Sequence, residues 1–267
     1  MILWINVRDD YMVIAMSCTR DWYHYLMVAI YSLLGCTRSV KKIYLILDTD
    51  KVEEIENLDN IKKKYSDVEF VIVNFNNFLF EKIQSSSPNL NSIYSNFCFA
   101  KIMLSDIVSE NKVLYIDTDA IVKRDISNLW NYKIDDYYIA GVKDFGIFTR
   151  GTEDVLEISR DYINSGVVLF NLEKMRLDGV QDKILAIINS RELRYPDQDA
   201  LNIVCHDHIL MLPSIYNHSD DFSLEARNQD LIKIYHFAGP KDFWVTNKLY
   251  AEEWYEMEEK FCNEFGW

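Results

Sequence analysis

Positive charge is scarce in this 267-residue chain. Its 28 lysines and arginines face 42 aspartates and glutamates, a formal net charge of -14. Binding a phosphate backbone needs clustered Lys and Arg, so nucleic acid is excluded as the main ligand. An anionic membrane surface is disfavoured on the same ground. An anionic small ligand would need a metal ion or a local basic patch. Long apolar runs are also missing. The uncharged and mostly apolar run from Trp22 to Thr37 contains His24 and Ser32 and falls short of the ~20 apolar residues that span a bilayer. The opening "MILWINVRDD" has no basic region leading into a long apolar stretch, so no signal peptide is expected. Cysteine is sparse: Cys18, Cys36, Cys98, Cys205 and Cys262 are odd in number, widely spaced and without a CxxC pair. Reduced thiols in a soluble, cytoplasmic protein are the expectation. No linker-like Pro/Gly/Ser stretch divides the chain and no internal repeat is visible.

What is present points to a packed core. Half of the residues are hydrophobic (49%) and 14% are aromatic, which excludes a disordered chain. The length suits one large α/β domain. Apolar runs of strand length recur at 11–17, 42–47, 68–73, 113–116, 137–142, 166–171 and 232–237. They are nearly continuous rather than alternating, as in strands covered on both faces. Helical patterns fall at 22–34, ending before Gly35, and at 52–65, 96–109, 172–191 and 197–205. Strand–helix alternation predicts a mostly parallel central sheet in a single Rossmann-like domain over 1–267. Residues 245–267 read as an acidic, aromatic helical tail packed on the body. The segments 84–92 and 145–154 are the expected mobile loops.

"VLYIDTDAIV", residues 113–122, sets two carboxylates one residue apart at the end of a buried strand. In open α/β sheets, ligands sit at the carboxyl ends of strands. An isolated buried carboxylate costs several kcal/mol unless compensated. Asp117 and Asp119 therefore either reach solvent as an ordinary acidic turn or converge on a hard cation, for which oxygen ligands suit Mg²⁺ or Mn²⁺. Haloacid-dehalogenase-type phosphohydrolases also use D-x-D after an apolar strand, with the first Asp as nucleophile. There the motif normally opens the domain, whereas over a hundred residues precede it here.

Downstream stand "NSGVVLFNL" (164–172), "PDQDALN" (196–202) and "HFAGPKDFW" (236–244). With "YLMVAIYSLL" (25–34) and the IDTD strand, this ordered set resembles the family 8 glycosyltransferases, from about Tyr11 to Trp244. The resemblance implies a GT-A fold, a UDP-sugar donor, Mn²⁺ (or Mg²⁺) and transfer of glucose or galactose with retention of configuration. The implied acceptor is a hydroxyl on a carbohydrate, glycolipid or glycoprotein. A homodimer is left open. A self-glucosylating primer and a sugar-nucleotide-binding protein without turnover are the alternative functions.

By the same resemblance, Asp117, Asp119 and His236 form the metal ligand set, with Asp117 and Thr118 also toward the nucleotide. Lys101 matches a basic residue that touches the nucleotide or donor sugar. Asp144, Asn164, Asp197 and Gln198 match positions around the donor sugar, and Gln198 stands where a retaining glycosidase would place its nucleophile. Taken from the residues alone, Asn164 is also a turn former beside Gly166, and Asp197 after Pro196 a helix N-cap. Gly239 is the implied close approach to the diphosphate, aided by Lys241. The family usually reads H-x-x-G-x-x-K-P-W; here Lys241 comes one residue early and the Pro is missing. At the nucleoside end, Trp22 replaces a family Tyr and Thr19, Arg20 and Asp21 replace Asp-Asp-Asn. Trp22 is therefore either a uracil-stacking face or a core residue.

Overall fold

The computed structural model describes residues 11–91, 95–146, 161–219, 229–238 and 250–266. Gly239, Lys241 and most of the 145–154 loop lie outside these. The strands are β1 (Met12–Cys18), β2 (Val40–Leu47), β3 (Glu69–Asn74), β4 (Lys112–Ile116), β5 (Ala120–Val122), β6 (Ile139–Lys143), β7 (Ile163–Asn171), β8 (Ile209–Leu212) and β9 (Ile234–His236). The α-helices are α1 (Tyr23–Cys36), α2 (Leu58–Lys64), α3 (Asn76–Lys82), α4 (Leu104–Ile107), α5 (Ser127–Trp130), α6 (Leu172–Leu177), α7 (Val180–Ser190), α8 (Pro196–Cys205) and α9 (Ala251–Phe265).

Seven strands form one sheet in the order β3-β2-β1-β4-β7-β6-β8. Strand β7 runs antiparallel to both neighbours, and the other pairings are parallel. Every residue of β1 is buried, and β7 is buried up to its last residue. Each Val, Ile or Leu removed from water contributes about 1.5–3 kcal/mol, so continuous apolar strands are stable only with both faces covered. One cover is α1, which packs against β1, β5, α2 and α9. Being enclosed on several sides explains why its whole length is uncharged.

Strand β9 pairs antiparallel with β5 in a two-stranded ribbon apart from the main sheet. Its apolar run is a strand as expected, but its partner lies three residues beyond the end of β4. Several helix boundaries also differ from the sequence reading. Gly35 lies inside α1 and Thr37 caps it, the Thr37 N–H bonding to Leu33 O at 2.9 Å. The 52–65 segment is a 3₁₀ turn (Val52–Glu54) and then α2, separated at Asn57 by a left-handed residue (φ 62°). The 172–191 segment breaks between α6 and α7 at Gly179 (φ 60°), a conformation open to glycine at little cost. Residues 96–103 are 3₁₀ rather than α. Nor is 84–91 a loose loop. Ser87 and Asn89 are buried, and both donate to Ile188 O at the last turn of α7, at 2.8 and 2.6 Å. Carbonyls at a helix C-terminus lack intrahelical donors, and this turn supplies them.

Candidate functional site

The chain leaves the top of β4 as Asp117-Thr118-Asp119 and turns back into β5. The ribbon register pairs Ala120 with His236, and Phe237 N–H bonds to Asp119 O at 2.9 Å. A residue more than a hundred positions downstream is thereby set against the acidic pair. His236 Nε2 lies 3.3 Å from Asp119 Oδ1 and 3.9 Å from Asp117 Oδ2. One ligand atom from each of the three residues falls within 4.8 Å of the others. Two carboxylates and an imidazole form a donor set harder than a thiolate zinc site, which fits Mn²⁺.

Strand β7 supplies the floor. Gly166 faces the end of β4, and its carbonyl accepts the Asp117 N–H at 2.8 Å. A Cβ on Gly166 would lie 2.0 Å from His236 Cε1 and 2.6 Å from each ring nitrogen. The glycine is therefore required by the close approach of the imidazole, not by backbone conformation. Behind the ring, His236 Nδ1 meets Asn217 Oδ1 at 2.9 Å. Asn217 Nδ2 donates to Asn164 Oδ1 at 3.0 Å, and that oxygen also accepts Gly166 N–H at 2.9 Å.

Lys101 is only 3% exposed, although a lone helical lysine is usually a solvated charge. Its Nζ lies 3.2 Å from Asp117 Oδ1 and 3.0 Å from Asp197 Oδ2, donates to Ser165 O at 3.1 Å, and sits 4.8 Å from the centre of the Tyr115 ring. Burial works against its charge, but the Asp117 and Asp197 carboxylates outweigh burial and hold its pKa well above the lysine value. Burial raises Asp117 above the usual carboxylate range, Lys101 opposing and the neighbouring Asp119 charge adding to it. At Asp119, burial is overcome by the His236 imidazole, and its pKa is lowered. His236 is raised in turn, Asp119 outweighing desolvation.

Helix α8 brings the DQD residues to the same place. Asp197 Oδ2 accepts Ser165 Oγ at 2.9 Å as well as the Lys101 ammonium. The α8 N-cap is Tyr195, not Asp197, and it is Asp199 Oδ2 that reaches back to Tyr195 N–H at 2.9 Å. Gln198 is held on every side. Its Oε1 accepts Ser165 N–H at 2.9 Å, and its Nε2 donates to Asp144 Oδ2 at 3.1 Å and to Tyr162 Oη at 3.0 Å. Tyr162 Oη donates to Asp199 Oδ1 at 2.6 Å. Asp144, Asn164, Asp197, Gln198, Lys101 and His236 thus join one buried network, with Thr118 also buried, and the half-exposed Asp117 and Asp119 stand at its open side.

Thr19 to Trp22, matched by resemblance to the nucleoside end, lie elsewhere on the same edge. Strands β1 and β4 are parallel neighbours, so the turn after β1 opens at the edge that carries Asp117. The described contacts of this turn run to Asp48, Glu54 and Tyr25. Arg20 N–H and Tyr23 Oη both donate to Asp48, and Arg20 pairs with Glu54 at 3.7 Å. The half-buried Trp22 ring packs on Tyr25 at 4.9 Å. Sequence reasoning missed Tyr115, Tyr162, Ser165, Asp199 and Asn217. Ser165 and Asp199 lie inside the quoted motifs, whereas Asn217 in "IYNHS" carries no local signal at all.

The mixed α/β sheet with this cluster at its carboxyl edge has the GT-A fold of solved glycosyltransferases. The chain belongs to glycosyltransferase family 8: the sequence model described as "Glycosyl transferase family 8" matches residues 13–248. It is 26% identical to General stress protein A of Bacillus subtilis, over 93% of this chain and 94% of that protein. It is also 26% identical to glycosyltransferase GlyB of Streptococcus pneumoniae, over 91% of this chain but 60% of GlyB. Among solved structures it resembles the galactosyltransferase LgtC, crystallised with donor and acceptor sugar analogues, at a TM-score of 0.70 and 20% identity, covering 93% of this chain and 96% of LgtC. Among the described residues no helix is long and apolar enough to cross a membrane.

Proposed function

We propose that the chain is a retaining hexosyltransferase. It moves glucose or galactose from UDP-glucose or UDP-galactose to a hydroxyl of a carbohydrate, glycolipid or glycoprotein. The observation that carries this reading is the convergence of Asp117, Asp119 and His236 beside the buried Lys101–Asp197 pair. The three residues would hold Mn²⁺, which when bound supplies Lewis-acid stabilisation of a departing nucleoside diphosphate.

The chain's own groups do the rest. Lys101 locks Asp117 and Asp197 in fixed positions, so neither carboxylate has to be ordered when the donor binds. Asp144, Asn164 and Asp197 are assigned to the donor sugar hydroxyls. Thr19, Trp22 and Thr118 are assigned to the nucleoside, and Gly239 and Lys241 to the diphosphate. Gln198 is assigned to the face of the sugar opposite the leaving group. Its amide is a poor nucleophile, and its Nε2 hydrogens are engaged by Asp144 and Tyr162. That favours acceptor attack from the leaving-group side, with the departing phosphate oxygen taking the acceptor proton. Release of UDP from a panel of UDP-hexoses with and without Mn²⁺, followed by NMR of the product anomer, tests the reading. Mn²⁺-dependent release and an α-anomeric product are expected; an inverted anomer removes the retaining mechanism. Intact-mass spectra of the same reactions read self-glycosylation as a ladder of added hexoses.

A further inference from the structure

The amides behind His236 have a direction that can be followed from one backbone group. A backbone N–H can only donate, so the Asn164 side-chain atom 2.9 Å from Gly166 N must be the oxygen. An oxygen there requires Asn217 to present its NH₂ group, which it does at 3.0 Å. Asn217 must then turn its own oxygen the other way, toward His236 Nδ1 at 2.9 Å. An oxygen facing Nδ1 needs a proton on that nitrogen. The remaining nitrogen, Nε2, is the one that points at Asp119 and Asp117. Asn217 is 0% exposed, Asn164 7% and His236 4%. Reversing any amide in this chain would bury two donors, or two acceptors, against each other. Each buried group left unpaired costs about 1–3 kcal/mol.

We infer that Asn164 and Asn217 form a two-amide relay that fixes the proton of His236 on Nδ1 and presents Nε2 to the cation. Asn217 is thereby a positioning residue for a ligand nineteen positions away in sequence. The inference rests on the reading that Asp117, Asp119 and His236 hold a divalent cation. Gly166 starts the relay with its N–H, holds Asp117 with its carbonyl, and leaves room for the ring with its missing Cβ. Partners of this type on a ligating imidazole change metal affinity by about 10–100-fold.

The experiment has two arms. Long-range ¹H–¹⁵N correlation on the full-length, metal-free protein at alkaline pH, where the ring is neutral, reads which nitrogen of His236 carries the proton. Mn²⁺ titration followed by electron paramagnetic resonance reads affinity. The wild type is expected to keep the proton on Nδ1. Asn217→Leu is expected to move it to Nε2 and to weaken Mn²⁺ binding about 10–100-fold. Asn217→Ser, whose hydroxyl is too short to span the gap, serves the same purpose if the Leu variant does not fold. A bare Nδ1 in the wild type, or unchanged affinity and tautomer in a folded variant, overturns the relay. Failure of the wild type to bind Mn²⁺ overturns the cation reading instead, and the Nδ1 signal still judges the relay.

Discussion

Replacing Gly166 with Ala adds a single methyl group, and its effect can be worked from the structure. The new carbon would lie 2.0 Å from His236 Cε1, against an ordinary contact of at least 3.4 Å. The imidazole must therefore retreat by roughly 1.4 Å, or β7 must shift by a similar amount. The ring is buried and tied to Asn217, and overpacking of this kind costs about 1–3 kcal/mol. Metal–ligand distances tolerate only about 0.2 Å, so His236 would leave the proposed ligand set while Asp117 and Asp119 stayed. Mn²⁺ affinity should fall at least about tenfold, which is ~1.4 kcal/mol, with UDP release falling with it. The assay is Mn²⁺ titration of both proteins by electron paramagnetic resonance, alongside thermal melting to establish that the variant folds. A folded Gly166→Ala protein with wild-type Mn²⁺ affinity would refute the reasoning, since the ring would then have room the structure denies it.

Three further outcomes are expected. Lys101→Met leaves the Asp117 and Asp197 carboxylates without their shared ammonium, and stability should drop by ~3 kcal/mol, the usual cost of removing one partner of a buried pair; a melting temperature unchanged at pH 7 would contradict this. Gly179→Ala puts a side chain at φ 60° in open space, so the cost is backbone strain of about 1 kcal/mol, measured by urea unfolding, with UDP release unaffected. The third concerns acid stability at Glu110. Burial there opposes the charge, but the Tyr44 hydroxyl and the Lys42 ammonium at 3.0 Å win, and its pKa lies below the ordinary value. A carboxyl lowered on folding stabilises the protein above the unfolded pKa of about 4.3 and loses that contribution as pH falls. The wild type should therefore lose stability below about pH 4.3 more steeply than Glu110→Gln; parallel unfolding curves from pH 6 to pH 3 would rule this out.

Much of the fold was legible because burial on both faces leaves a run of apolar residues that periodicity can find. Strands β1, β2, β4, β6 and β7 coincide with such runs, and the half-exposed β3 was found because it is itself a six-residue run rich in Val, Ile and Phe. Strand β8 is short and half-exposed, and β5 is three residues long, so neither stood out. The direction of β7 was not legible either, since an antiparallel strand inside a covered sheet has the same composition as a parallel one. Helix breaks at Asn57 and Gly179 escaped because periodicity continues across a single left-handed residue. At the site, the ordered motifs named the acidic pair, His236, Lys101 and the α8 residues. Asn217 could not be read, because its part depends on which atoms of Asn164 and His236 it meets. The N-cap reading of Asp197 failed for a related reason: a carboxylate in a first turn is free to bond a buried ammonium instead of the backbone, and Asp199 took the backbone partner.

Helix α9 looks like an acidic appendage, yet it braces the ribbon that carries His236. The Trp254 indole meets the Phe237 ring edge-on at 5.7 Å, one residue past the imidazole, and Glu253 pairs with Lys123 just after β5. Tyr250, at its start, packs on Tyr235. Trimming the last seventeen residues to obtain a tidier protein would therefore take away the wall on which the His236 ribbon leans, and with it the support for the third residue of the proposed cation site.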